Sequence, residues 1–153
     1  LTKNHFPTIN TLVDSCNLAV LSNLVPLGIF DYQKLIGSLI LRLSIPGDTI
    51  IPIGAKVPQE IPSGLPIFVD DEKVVSVFYH RDSDFSKITL ATKDVLLMAV
   101  AVEGVSIPEL EAGLDNGTNF ILKYNVIFVY FYIVFAFDSP FGIKRGIFWF
   151  KPF

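Results

Sequence analysis

Val95-Leu96-Leu97-Met98-Ala99-Val100-Ala101-Val102 is the stretch on which the fold turns. This apolar run has the length of a strand, although periodicity alone does not separate a buried strand from a buried helix. Its valines, and the Gly104 that stops it, favour a central strand covered on both faces. Downstream, Ser106-Ile107-Pro108-Glu109 has the pattern of a capping box with proline in the first turn, and predicts a helix running towards Tyr124. Gly113 and Gly117 weaken that helix by roughly 1 kcal/mol each relative to alanine. Upstream, Leu65 to Val69 and Lys73 to Phe78 read as a hairpin across Asp70-Asp71-Glu72, and Ile88 to Thr92 leads into the apolar run.

Nearer the start, Asn10 or Thr11 caps a helix reaching about Asn23, with Asp14 in its first turn and Pro26 after its end. Leu12, Val13, Cys16, Val20 and Leu24 recur at helical spacing and are expected in the core. Gly28 and Gly37 bracket a polar turn, Asp31 to Lys34, and Ser38 to Ser44 reads as a strand. Pro46-Gly47-Asp48 is a turn. From Thr49 to Pro66 the spacing of Pro52, Pro58, Pro62 and Pro66 leaves room only for short strands or extended loops. The sum is a mixed α+β domain.

Of the 20 aromatic residues, 13 lie from Phe120 onward, so residues 125–153 are set apart as an aromatic-rich tail. Val126 to Phe137 is too short for a membrane helix, which needs about 20 apolar residues. Its β-branched and aromatic residues favour a strand, with a terminal strand and hairpin in Phe141 to Phe153. Apolar surface of that kind is expected to find a partner, so the tail is a candidate for self-association.

The chain is 51% hydrophobic with mean hydropathy +0.53, and 153 residues suffice for one domain with a real core. A net charge of −3 gives no global basic field, so a DNA partner is not expected, and no membrane partner either. One cysteine, Cys16, excludes an internal disulfide and a cysteine-built zinc site, and fits a reducing cytoplasm. Leu1-Thr2-Lys3-Asn4-His5 is polar and is no signal peptide. The first residue is not methionine, so the N-terminus is expected to be cut.

Chemistry-bearing side chains gather at Tyr79-His80-Arg81-Asp82-Ser83-Asp84, with a second set at Asn10, Asp14 and Asn17. His80 can orient or deprotonate a water, or be a plain turn histidine. Arg81 can grip a phosphate or carboxylate, or pair with Asp82 or Asp84. Asp82 and Asp84 share one side if the strand continues and can then hold an α-amino group; otherwise they cap a turn. Asn10 and Asn17 can hydrogen-bond a substrate, although Asn10 reads first as a helix cap. Gly28 lets a ligand approach the backbone or is a turn glycine, and Cys16 reads as core. His80-x-Asp82-x-Asp84 has too few ligands for a metal, and no metal or cofactor is expected.

Ile9 to Leu18, with Pro26-Leu27-Gly28-Ile29-Phe30-Asp31 after it, resembles a B3/B4 domain. This is the editing domain in the β subunit of bacterial phenylalanyl-tRNA synthetase, which also occurs as free-standing proteins. Phe78 to Thr92, holding His80 to Asp84 and Thr89, resembles the free-standing branch more closely. The resemblance covers roughly residues 7 to 124 and implies a three-layer α+β fold with a β-sandwich of unusual topology. In the synthetase the domain hydrolyses the ester of tRNA mischarged with tyrosine, and free-standing members bind or edit aminoacyl-tRNA. Gly28 stands where the synthetase motif has a histidine, and the editing glutamate has no clear equivalent.

The resulting expectation is a trans-editing protein that binds aminoacyl-tRNA and hydrolyses a mischarged ester. Its catalytic candidates are His80 and Asp82, and its substrate-binding candidates Asn10, Asn17, Gly28, Arg81 and Asp84. The alternative is a non-catalytic module for tRNA or a small amino acid, favoured by the missing histidine and glutamate. A third reading is a truncated or misread chain.

Overall fold

The computed structural model describes residues 8–78, 80–101, 105–124, 128–135 and 147–149. Helix α1, Thr11–Asn23, starts where the Asn10 side chain accepts the Val13 N–H at 3.0 Å. Asp14 reaches back to accept the Ile9 N–H at 2.9 Å, clasping the first turn. Leu12, Ser15, Cys16 and Ala19 form the buried stripe.

Leu24, expected in the core, is instead 82% exposed. It adopts the left-handed conformation at φ 56°, where its N–H caps the Val20 carbonyl at 2.8 Å, and that turn swings its side chain off the stripe. The conformation costs a residue with a β-carbon roughly 1 kcal/mol that glycine does not lose. Leu24→Gly is therefore expected to stabilise the fold by roughly 0.5 kcal/mol, read as a higher urea midpoint at unchanged slope.

Among the described residues the chain continues through β1 (Leu27–Asp31), β2 (Ile40–Leu43), β3 (Thr49–Ile50), β4 (Gln59–Glu60), β5 (Pro66–Val69), β6 (Val74–Val77) and β7 (Arg81–Asp82). It ends with β8 (Asp94–Ala101), helix α2 (Ile107–Tyr124), β9 (Phe128–Phe135) and β10 (Ile147–Trp149). Short 3-10 turns follow β1 (Tyr32–Lys34) and β7 (Asp84–Ser86). The first sheet has the order β1-β8-β9-β10, the second β2-β5-β6-β7, and β3 with β4 forms a small ribbon.

The long apolar run is the central strand β8, antiparallel to β1 and parallel to β9. Val95, Leu97 and Ala99 face the helices, packed with Leu12, Cys16, Leu110, Leu114 and Ile121. Leu96, Met98 and Val100 face the second sheet, packed with Leu41, Phe68, Val75 and Phe78. Both faces are covered, so the run needs no polar alternation. The architecture is α+β in three layers: two helices, first sheet, second sheet. β9 and β10 fall within the stretch 125–153 and are hydrogen-bonded into the first sheet.

Helix α2 is held at its start by Glu109, which accepts the Ser106 N–H and hydroxyl, each at 2.7 Å. Its buried face carries Leu110, Gly113, Leu114, Gly117, Thr118 and Ile121. A β-carbon at Gly113 would meet the Val25 side chain at 2.9 Å, and one at Gly117 would meet Leu97 at 2.8 Å. These glycines lower helix propensity, but they set how closely α2 sits on α1 and the sheet.

The expected hairpin is β5 and β6, joined at Asp70. Asp70 is 5% exposed and accepts the N–H groups of Ile36, Glu72 and Lys73 at 2.7–3.1 Å. A buried carboxylate is thereby satisfied, and the turn is tied to the segment before β2.

Candidate functional site

The register of the second sheet aligns Leu41, Phe68, Ser76 and Asp82 in one cross-strand row. Leu41 and Phe68 are buried against Phe30, Leu96 and Met98 of the first sheet. Residues opposite one another point to the same face, so Ser76 and Asp82 also face the layer between the sheets. Asp82 lies on β7, an edge strand of its sheet, and Gly28 on β1, an edge strand of the other. Gly28 pairs with Met98 and shares the face of Phe30 and Met98. The 3-10 turns that follow β1 and β7 touch.

Asp82 is exposed, because β7 is an edge strand. Desolvation raises its pKa above the usual carboxylate value, and a hydrogen bond from Ser76 pulls partly the other way. The charge of Asp82 also reaches Cys16 across the edge of the first sheet. Burial first, and then that charge, push the Cys16 thiol up to about 12, so Cys16 is a protonated core side chain.

The candidates from the sequence divide between two sides of β7. Asp82 and Gly28 each lie on an edge strand and face the layer between the sheets. Arg81, next in alternation, points away and donates to Gln59 of β4 at 2.8 Å. It pairs with neither Asp82 nor Asp84 among the described residues. Asp84 does not share a side with Asp82, because the strand stops and residues 84–86 coil into a 3-10 turn. Its carboxylate accepts the Gly54 N–H at 3.2 Å and pairs with Lys87 at 2.7 Å, and these bonds hold its pKa low. His80 is exposed in the turn between β6 and β7, its N–H donated to the Val77 carbonyl at 3.0 Å. Asn10 is occupied as the helix cap, and Asn17 is half-buried on α1 beside Cys16.

Gly28 is not a turn glycine, and its backbone is half-buried. It lies within β1, and a β-carbon there would meet the Phe30 ring at 3.1 Å and the Met98 methyl at 3.4 Å. Phe30 lies over the strand where a side chain would otherwise stand. The sequence reading missed Ser76. Its sole signal is a lone hydroxyl in the apolar run Val74-Val75-Ser76-Val77, which acquires meaning only once the register is known.

A separate cleft of about 760 Å³ opens on the other face of the second sheet, lined by residues including Arg42, Asp48, Ile51, Val74, Asp84 and Phe85. Arg42 forks onto Asp48 at 2.6 and 2.7 Å. That fork lowers the Asp48 pKa, with help from the Ile45 N–H. The folded value lies below the unfolded one, so the pair stabilises above pH 3.8 and is lost as pH falls through the folded value. Asp48→Asn is expected to cost about 1 kcal/mol at pH 7, since Arg42 is partly solvated, and close to nothing in strong acid. Denaturant titrations at the two pH values check it.

A family described as the B3/4 domain matches residues 1–120. The chain belongs to the B3/4 domain family. It is 27% identical over 116 residues to a phenylalanine–tRNA ligase β subunit of Rhodopseudomonas palustris, covering 76% of this chain. The chain spans about 14% of the length of that relative. A crystal structure of an N-terminal fragment of the phenylalanyl-tRNA synthetase β subunit from Pyrococcus horikoshii superposes with TM-score 0.60 at 15% identity. That match covers 81% of this chain and 42% of the fragment, and it shows a shared fold. The edge strand β7 of this B3/4 domain thus presents the exposed carboxylate of Asp82 beside the buried hydroxyl of Ser76.

Proposed function

We propose that this B3/4 domain binds the acylated 3′ end of a tRNA at the Asp82 edge and hydrolyses the aminoacyl ester. The observation that carries the reading is Asp82, a carboxylate whose raised pKa makes it a stronger base than a solvated one. Asp82 takes a proton from water, and the hydroxide attacks the ester carbonyl carbon. The carbonyl–ribose oxygen bond breaks, and the ribose oxygen recovers a proton. Ser76 holds Asp82 in place, and the exposed His80 sits where it can contact the entering nucleotide. The free thiol of Cys16 suits a cytoplasmic site for this work.

A second reading, binding without hydrolysis, is favoured by Gly28, where Phe30 and Met98 occupy the place of a polar side chain. Incubating the protein with a panel of mischarged tRNAs separates the two. Release of the amino acid by the unaltered protein, lost in Asp82→Asn, supports hydrolysis. Retained tRNA with no release leaves the binding module. A loss in His80→Ala equal to that in Asp82→Asn would move the base to His80.

A further inference from the structure

Asp94 opens β8 and, by strand alternation, shares the face of Leu96, Met98 and Val100. That face packs against the second sheet, so a carboxylate stands at the end of an apolar layer. A pocket of about 370 Å³ opens there, lined by residues including Tyr32, Gln33, Leu35, Leu39, Asp94 and Leu96. It is separate from the Asp82 edge: Leu39 leads into β2, and β2 and β7 are opposite edges of their sheet.

The walls of the pocket are hydrocarbon. Leu39 and Leu96 are buried, and Leu35 and Tyr32 pack on the same cluster. Its mouth is polar. Gln33 Nε2 donates to Asp94 Oδ2, which fixes the amide beside the carboxylate. Among the described residues no hydrogen bond reaches Gln33 Oε1 or Asp94 Oδ1, and Asp94 has no ion pair. No lysine or arginine lines the pocket among these residues. The mouth therefore offers two acceptor oxygens and one uncompensated negative charge.

We propose that this pocket holds a small primary amine, its ammonium at Asp94 and Gln33 and its hydrocarbon against Leu35, Leu39 and Leu96. An ammonium brings three N–H donors and a positive charge, which match a carboxylate oxygen and an amide oxygen set side by side. An anion would meet Asp94 with like charge, and an alcohol would leave that charge unmatched. The volume lies at the small end of ligand sites, about 300–1,000 Å³, so the body is a short branched chain or a single ring. The site is independent of the ester chemistry proposed at Asp82.

Isoamylamine, isoamyl alcohol and isovalerate share an apolar body and differ in charge. Each is titrated into the isotope-labelled protein and followed by NMR. The amine should bind about tenfold or more tightly than the alcohol, and isovalerate should bind least. Its shifts should centre on the Gln33 side-chain amide, Leu39 and Leu96. Added salt should weaken the amine and leave the alcohol unchanged. Asp94→Asn, which keeps the shape, should lose the preference for the amine. The comparison of ligands on the unaltered protein stands even if that variant does not fold. Equal affinity for amine and alcohol, no saturable binding of the amine, or amine shifts confined to other parts of the surface would overturn the proposal. So would a folded Asp94→Asn protein that keeps the preference.

Discussion

Asp82→Asn is expected to lower ester hydrolysis by about 10²–10⁴-fold while leaving tRNA affinity within about twofold. The amide keeps the shape and can still bond Ser76, but it cannot take a proton from water. The two measurements must therefore separate: a large fall in turnover, little change in binding. The pH dependence gives a second signature. In the unaltered protein the rate should climb as Asp82 ionises, at a pH above the value of a solvated aspartate, because desolvation raises its pKa. Stability should move the opposite way. A folded value above the unfolded one means the folded state holds the proton more tightly, so this group destabilises the fold as pH rises through its folded value. Asparagine removes that cost, and the variant should be at least as stable as the unaltered protein at pH 7. Loss of activity accompanied by loss of stability would mean that Asp82 is a structural residue.

Gly113→Val is expected to destabilise the domain by about 3 kcal/mol or more. The first added carbon already meets Val25 at 2.9 Å, against a β-carbon fixed close to the backbone, so the obstruction cannot rotate away. The branches of valine then have to push α2 off Val25, in the connection from α1 to β1, disturbing the layer that also holds Leu110 and Leu114. Gly117→Ala should cost less, about 1–2 kcal/mol, because its nearest neighbour is the end of the Leu97 side chain. The helix-propensity gain of alanine, about 1 kcal/mol, offsets part of that. Urea denaturation of both variants checks the order.

These glycines mark the limit of what the sequence discloses. Local signals were legible: Asn10 caps α1, Ser106 and Glu109 open α2, and Val95–Val100 form the buried strand that the apolar run implies. The resemblance of Ile9–Leu18, Pro26–Asp31 and Phe78–Thr92 to the B3/4 family was legible too, and the family matches residues 1–120. What stayed hidden depends on register and on contacts distant in sequence. The alternation of Asp82 and Asp84 held only if the strand continued, and the tether of Asp84 to Gly54, thirty residues away, is not written locally. Leu24 obeyed the helical period in sequence, yet the backbone left the helix there. Gly28 read as a turn glycine because nothing beside it shows that it sits within a strand, with Phe30 filling the space of a side chain. Ser76 became a partner of Asp82 only through strand pairing.

The most direct test of the account is a crystal structure with a non-hydrolysable 3′-amide analogue of an aminoacylated adenosine. The account predicts density for the amide within hydrogen-bonding reach of Asp82, at the edge between the two sheets. An analogue bound instead in the cleft between Arg42 and Phe85, with the Asp82 edge empty, would contradict it.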